Sequence, residues 1–210
     1  WVVDTIDPAV SISDTPAAET NSDAADMTVT SSDGGSGLAS TTCTIDNGAT
    51  TCGDALASLA DGSHTYVATA TDAAGNSASA SYTWLIDTVD PTVSLADGPA
   101  AETSSTAADL TVTSADASSG LASTTCDLDG VAQADCGGVV SGLADGSHTF
   151  TATATDAAGN SASASYTWLV DTVNPTVSID GPATPNSSDS ASFTVTSADA
   201  SSGLASTTCT

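Results

Sequence analysis

Lysine and arginine are both absent from this 210-residue chain, while Asp plus Glu number 26, giving a formal net charge of -26. That absence excludes Schiff-base lysine chemistry, lysine isopeptide cross-links and arginine clamps on phosphate. Nucleic acid and anionic membranes are repelled rather than bound. Such a surface attracts metal ions, counter-cations or basic partners, and it suits a saline or calcium-containing medium that screens self-repulsion. Aromatic residues are only 4%, and many of the 40% hydrophobic residues are alanine, so each core is thin and other sources of stability are expected. Helical periodicity is lacking, and no apolar run approaches the roughly 20 residues that cross a bilayer. No export signal is present either, which says nothing about export because Trp1 falls inside a repeat.

What is there is repetition. The stretch DGSHTYVATATDAAGNSASASYTWLIDTVDP at 61–91 returns almost letter for letter at 145–175. Trp1, Trp84 and Trp168 head successive copies, 83 and then 84 residues apart, and SGLASTTC recurs at 36–43, 119–126 and 202–209. Internal repetition of this kind sets the architecture before any single element is read. The expected division is 1–4 as the end of a preceding repeat, 5–87 and 88–171 as complete repeats, and 172–210 as the first part of a third, with both ends cut from a longer polypeptide. The carboxylates are spread evenly, 11 in residues 1–83, 11 in 84–167 and 4 in 168–210, so there is no acidic tail.

Within the second repeat, Thr92-Leu95 reads as a first short strand. Residues 107–114 alternate Leu110 and Val112 against Thr111 and Thr113, the period of a half-buried strand. A polar loop at 114–120 follows, with Leu121 expected as a buried plug. Residues 123–129 form a strand ending in the tight turn Asp129-Gly130, and 139–143 another. In 148–155, Phe150, Ala152 and Ala154 share one face. The turn DAAGN at 156–160 then reverses the chain into a strand at 162–168 that alternates Ala, Tyr and Trp against Ser and Thr. About seven short strands at such intervals predict an all-β fold of antiparallel β-sandwiches in tandem.

Cysteine falls in pairs: Cys43 with Cys52, then Cys126 with Cys136, while Cys209 stands alone in the third copy. Pairs nine or ten steps apart, once per repeat, read as a local disulfide across a hairpin, which places the chain outside the cytoplasm. The rival reading, a zinc site, would need two more ligands, with only His64 and His148 on offer.

The order C…C…L-x-DG-S-H-T, DAAGN, Y-T-W and D-T-x-(D/N)-P resembles the bacterial immunoglobulin-like domains that form long tandem arrays in surface proteins and adhesins. The resemblance covers the whole chain and implies an extracellular β-sandwich stalk, filament or spacer, sometimes stiffened by calcium, without catalysis. The total lack of Lys and Arg departs from that family's pattern.

Two constellations bear on chemistry. A Ser-His-Asp set can be drawn around His64 or His148, but each His opens a strand after Asp-Gly, no G-x-S-x-G motif accompanies it, and no basic group stabilises an oxyanion. Catalytic residues are therefore expected to be none. Loops at the end where the first strand begins would gather carboxylates at each joint: Asp4, Asp7, Asp33 and Asp72; then Asp87, Asp90, Asp116 and Asp156; then Asp171, Asn174 and Asp199. Calcium takes six to eight oxygen ligands and suits such groups. The same aspartates also serve as turn caps that need no ion, and no EF-hand spacing is present. Abundant Ser and Thr leave room for O-glycans, and Asn186-Ser-Ser is an N-x-S/T match.

The sequence thus points to an extracellular structural repeat protein whose partners are its neighbouring repeats and other copies in a filament. The alternative is a multivalent adhesin that binds glycan or protein on each repeat.

Overall fold

The structure is a computed structural model that describes residues 3–182 and 189–210. Trp1 and the Asn186 sequon lie outside the described residues. No helix occurs among the described residues, and none is long and apolar enough to cross a membrane.

The first repeat holds seven strands: β1 (Ala9–Ser13), β2 (Glu19–Thr20), β3 (Thr28–Ser32), β4 (Leu38–Ile45), β5 (Gly48–Thr50), β6 (Gly62–Asp72) and β7 (Ser77–Ile86). β1 pairs with β3, and the second sheet runs β2-β7-β6-β4-β5. Alternation explains the layers. Along β6, His64, Tyr66, Ala68, Ala70 and Asp72 are buried while the residues between them are partly exposed. Their cross-strand partners include Trp84 opposite His64 and Tyr82 opposite Tyr66. Alanines at 68 and 70 leave room for the large rings, so a thin composition still closes a packed interior.

The second repeat has eight strands: β8 (Thr92–Ala96), β9 (Glu102–Thr103), β10 (Ala107–Ala115), β11 (Leu121–Leu128), β12 (Val131–Ala132), β13 (Gly138–Ser141), β14 (Gly146–Asp156) and β15 (Ser161–Val170). Its sheets are β13-β10-β8 and β12-β11-β14-β15-β9. β13 pairs with β10 over four residues, where the first repeat makes only the single bridge Ala25–Leu56. The third repeat contributes β16 (Thr176–Asp180) and β17 (Thr194–Ala198), paired antiparallel.

The two cores correspond side chain by side chain. Ala25, Met27, Cys43, Tyr66, Ala68, Trp84 and Ile86 form one. Ala108, Leu110, Cys126, Phe150, Ala152, Trp168 and Val170 form the other. Cys43 is bonded to Cys52 and Cys126 to Cys136, each tying a central strand to the segment beyond the short edge strand beside it; Cys209 is free and exposed.

Two details differ from the sequence reading. Leu121 is not a buried plug: it is 40% exposed, and its counterpart Leu38 is 41% exposed. In the first repeat the β4–β6 register slips between Leu38 and Ser40, so the alternation that buries Cys43 does not extend to the leucine. The sheets are also not wholly antiparallel, because Glu19–Thr20 runs parallel to Leu85–Ile86 and Glu102–Thr103 parallel to Leu169–Val170. After β1 the chain crosses through Pro16 to the edge beside the last strand, and the Tyr82 hydroxyl donates to the Pro16 carbonyl at 2.6 Å. The Tyr166 hydroxyl and the Pro99 carbonyl repeat that contact.

Close contacts sort the chain into two compact units. One gathers the residues up to Thr92 with Ser114–Thr124 and Ala154–Ala162; the other holds Val93–Thr113, Thr125–Thr153 and Ser163–Thr210.

Candidate metal centre

Three carboxylates meet around the start of the first repeat: Asp4 just ahead of it, Asp33 after β3 and Asp72 at the end of β6. Asp87, Asp116 and Asp156 form the equivalent set, and both sets lie within the first compact unit. In each set one oxygen from every carboxylate lies within 4.8 Å of the others. Asp72, Asp87 and Asp156 are buried. Asp7 and Asp90, expected beside them, belong to neither set and are exposed. Asp171, at the end of the second repeat, is buried and accepts the Ser202 hydroxyl of the third at 2.6 Å, with Asp199 3.5 Å from the same hydroxyl. Asn174 is exposed.

Local sequence explains each position. In DAAGN the chain turns tightly after β6, and Asp72 Oδ1 accepts the N–H groups of Ala74, Gly75 and Asn76 at 2.9, 2.7 and 2.8 Å. Asp156 accepts those of Gly159 and Asn160 at 2.7 and 2.8 Å. The loop after β3 wraps Asp33 Oδ2, which accepts from Gly35 and Gly37. Asp116 Oδ1 accepts from Ser118 and Gly120 in the same way. A Cβ at Gly35 would stand 2.2 Å from Asp4 Oδ2, so a side chain there would have to displace that carboxylate; the second repeat carries Ser118 at the corresponding position.

Two donors went unassigned in the sequence. Asn76 Nδ2 donates both to Asp72 Oδ2 at 2.7 Å and to the Asp4 carbonyl at 3.1 Å. Asn160 does the same with Asp156 and the Asp87 carbonyl, at 2.7 and 2.8 Å. Ser119 is the other: its N–H and hydroxyl reach Asp87 Oδ2 at 3.0 and 2.7 Å. The signal was in plain view, because DAAGN and SGLASTTC recur without a change, further than turn formation demands.

For Asp4, Asp72, Asp87 and Asp171 such donors favour the ionised form. The Ser119 hydroxyl holds Asp87 below the ordinary carboxylate range, and the Ser202 hydroxyl does so for Asp171. Asp4 is lowered by the N–H groups of Ile6 and Ser36. Burial pushes Asp72 upward, yet the Asn76 side chain and the turn N–H groups outweigh it and leave the group lowered.

Neutral donors solvate charge without cancelling it, and the chain has no Lys or Arg to supply a counter-charge. Asp33 Oδ1 is buried without a hydrogen-bond partner. Hard oxygen donors converging on one point, one of them unsatisfied, fit an oxygen-seeking divalent cation such as calcium. Asp4, Asp33 and Asp72, and likewise Asp87, Asp116 and Asp156, are the residues that would hold it.

The histidines sit elsewhere. His64 Nδ1 lies 2.7 Å from Asp46 Oδ2 and Nε2 2.7 Å from the Ala60 carbonyl; His148 faces Asp129 and Ala144 at 2.7 and 2.8 Å.

The family model for the bacterial Ig-like domain matches residues 7–88 and 93–172. Among solved structures, the chain is similar to the fibronectin(III)-like modules of Clostridium thermocellum CbhA, at 16% identity and a TM-score of 0.46, over 77% of this chain and 94% of that one. It is also similar to a tetra-tandem repeat in the extending region of a large adhesion protein, at 19% identity and a TM-score of 0.37, over 94% of this chain and 64% of that one. No curated protein matches the chain.

Proposed function

The chain belongs to the bacterial Ig-like domain family, and from that premise we propose that it is a non-catalytic, extracellular structural segment of a stalk, filament or sheath. Its repeats, taken as 5–87 and 88–171, act in series. The observation that carries this reading is the recurrence of one acidic triad at the start of each complete repeat, within sandwiches whose cores correspond residue for residue. A mechanical role needs a periodic object with a defined connection. Triads of ionised groups without an internal cation supply a place where calcium would fix that connection. Disulfides in both complete repeats suit a secreted or surface location.

Melting the chain in calcium and then in a chelator tests the reading, together with small-angle scattering on fragments of one, two and three repeats. Calcium should raise the melting temperature, and the gain should vanish in the double variant Asp33→Asn, Asp116→Asn. The longest dimension should grow by a constant step with each repeat. A melting temperature that chelation leaves unchanged removes calcium from the account. Fragments that collapse rather than lengthen remove the spacer role. Glycan binding by a two-repeat fragment would instead favour the multivalent adhesin.

A further inference from the structure

We propose that His64 and His148 are proton-operated latches, one in each complete repeat, that lock the turn after β4 or β11 to the segment entering the next long strand when the imidazole is doubly protonated, and release it when the imidazole is neutral.

The geometry carries this. The first latch joins Asp46, in the turn between β4 and β5, to Ala60, in the stretch entering β6. A carboxylate oxygen and a backbone carbonyl can only accept. Neutral imidazole has one N–H, so it can satisfy one of these neighbours and must turn a lone pair on the other at 2.7 Å; imidazolium donates to both. The second repeat repeats the arrangement with Asp129 and Ala144, although its turn reads Asp-Gly instead of Asp-Asn and its disulfide loop is one residue longer. Coincidence in one turn would not survive those changes.

The surroundings favour the cation. His64 is 8% exposed and its ring centroid lies 5.6 Å from that of Trp84; His148 and Trp168 stand 5.9 Å apart. Asp46 is the charged group facing His64, and its other oxygen accepts the Thr65 N–H at 2.8 Å. Nearby Asp61 is turned to Thr88, and Asp145 to Thr172. Burial alone would disfavour charge on His64, but the bonds to Ala60 and Asp46 outweigh it and raise its proton affinity. For His148 the Ala144 and Asp129 bonds likewise outweigh burial.

Release would free the Ala60 carbonyl and loosen the hold on Asp46 that keeps the Thr65 N–H covered. In a chain with no Lys or Arg these two imidazoles are the only side chains able to carry positive charge. The latch therefore works against the usual trend, strengthening the fold as the medium turns mildly acidic.

Nitrogen-15 NMR of the intact chain reads the ring directly. Between about pH 5 and about pH 9, both ring nitrogens of His64 and His148 should be protonated at the acidic end. The two midpoints should lie above the ordinary 6.5, and the Thr65 and Thr149 amides should exchange faster on the alkaline side. The double variant Asp46→Asn, Asp129→Asn should bring the midpoints down. A midpoint at or below 6.5, or a single neutral tautomer at the acidic end, overturns the proposal, as do amide exchange rates that follow only the intrinsic base catalysis. Because the first measurement needs no variant, a substitution that fails to fold does not block the test.

Discussion

Reducing the two disulfides is the sharpest test of how a core this thin stays closed. The bonds join residues nine and ten positions apart. On the loop-entropy relation, closing loops of that size removes about 8.7 to 9.0 cal/mol/K from the unfolded chain, or about 2.6 to 2.7 kcal/mol per repeat at room temperature. A kilocalorie moves the melting point of a domain of this size by roughly 4 to 8 °C, so each repeat should melt roughly 10 to 20 °C lower once reduced. Reduction deletes no atom: Cys43 and Cys126 remain buried as small apolar side chains. The change should therefore lie mainly in the unfolded state, and the denaturant slope should steepen as that state expands. Cys43→Ala should cost more than reduction, since it also strips a sulfur from the interior. Calorimetry with and without a phosphine reductant, checked by a thiol count rising from one to five, measures the difference. Full reduction with an unmoved melting temperature would refute the entropic clip and shift the burden to packing.

Met27 occupies the site that Leu110 fills in the second repeat, so Met27→Leu should change stability by less than about 1.5 kcal/mol. A larger loss in a denaturant melt would show that the two interiors are not interchangeable. Acid should act through Asp4, Asp46, Asp72, Asp87, Asp129 and Asp171, all held below their usual 3.8 by hydrogen bonds. A lowered folded-state value means that their contribution is complete above 3.8 and is lost as pH falls through the folded values. The histidines contribute below 6.5 and lose it as pH rises through their own raised values. The melting temperature should therefore peak between about pH 4 and about pH 6.5; a maximum well above neutrality would contradict both assignments.

The parts of the fold legible in the sequence are those set by period-two alternation over long strands. The strands expected at 148–155 and 162–168, observed as Gly146–Asp156 and Ser161–Val170, could be read with their buried faces because nothing interrupts the pattern from Phe150 to Ala154 or from Ala162 to Trp168. Cysteine pairing was legible for a similar reason: both partners lie on neighbouring stretches of one sheet edge. Leu121 was misread because hydrophobicity alone does not show which way a strand's first residue faces; at its counterpart Leu38 the register slips. The parallel edges were missed because Glu19–Thr20 and Glu102–Thr103 are too short to show any period, and their direction is set by a crossing at Pro16 or Pro99. For the candidate site, charge and loop position suggested which carboxylates could meet, but not that Asp7 and Asp90 would stand apart from them, nor that Asn76 and Asn160 would brace the acidic sets.

The missing basic residues tie these observations together. A buried carboxylate usually finds an arginine or lysine; here every one must be solvated by neutral donors or by a proton carrier. The exposed Asp46 and Asp129 are paired instead with a histidine, which can be charged where it stands. Asp72, Asp87 and Asp156 take the first course, using turn N–H groups, a serine hydroxyl and an asparagine amide. That solution lowers the cost of burying each group but leaves the repulsion between three like charges within 4.8 Å untouched. The two arrangements should therefore answer to different variables. The triads should respond to dissolved cations and the latches to protons. A calcium effect that survived removal of both histidines, beside a proton effect that survived chelation, would separate them.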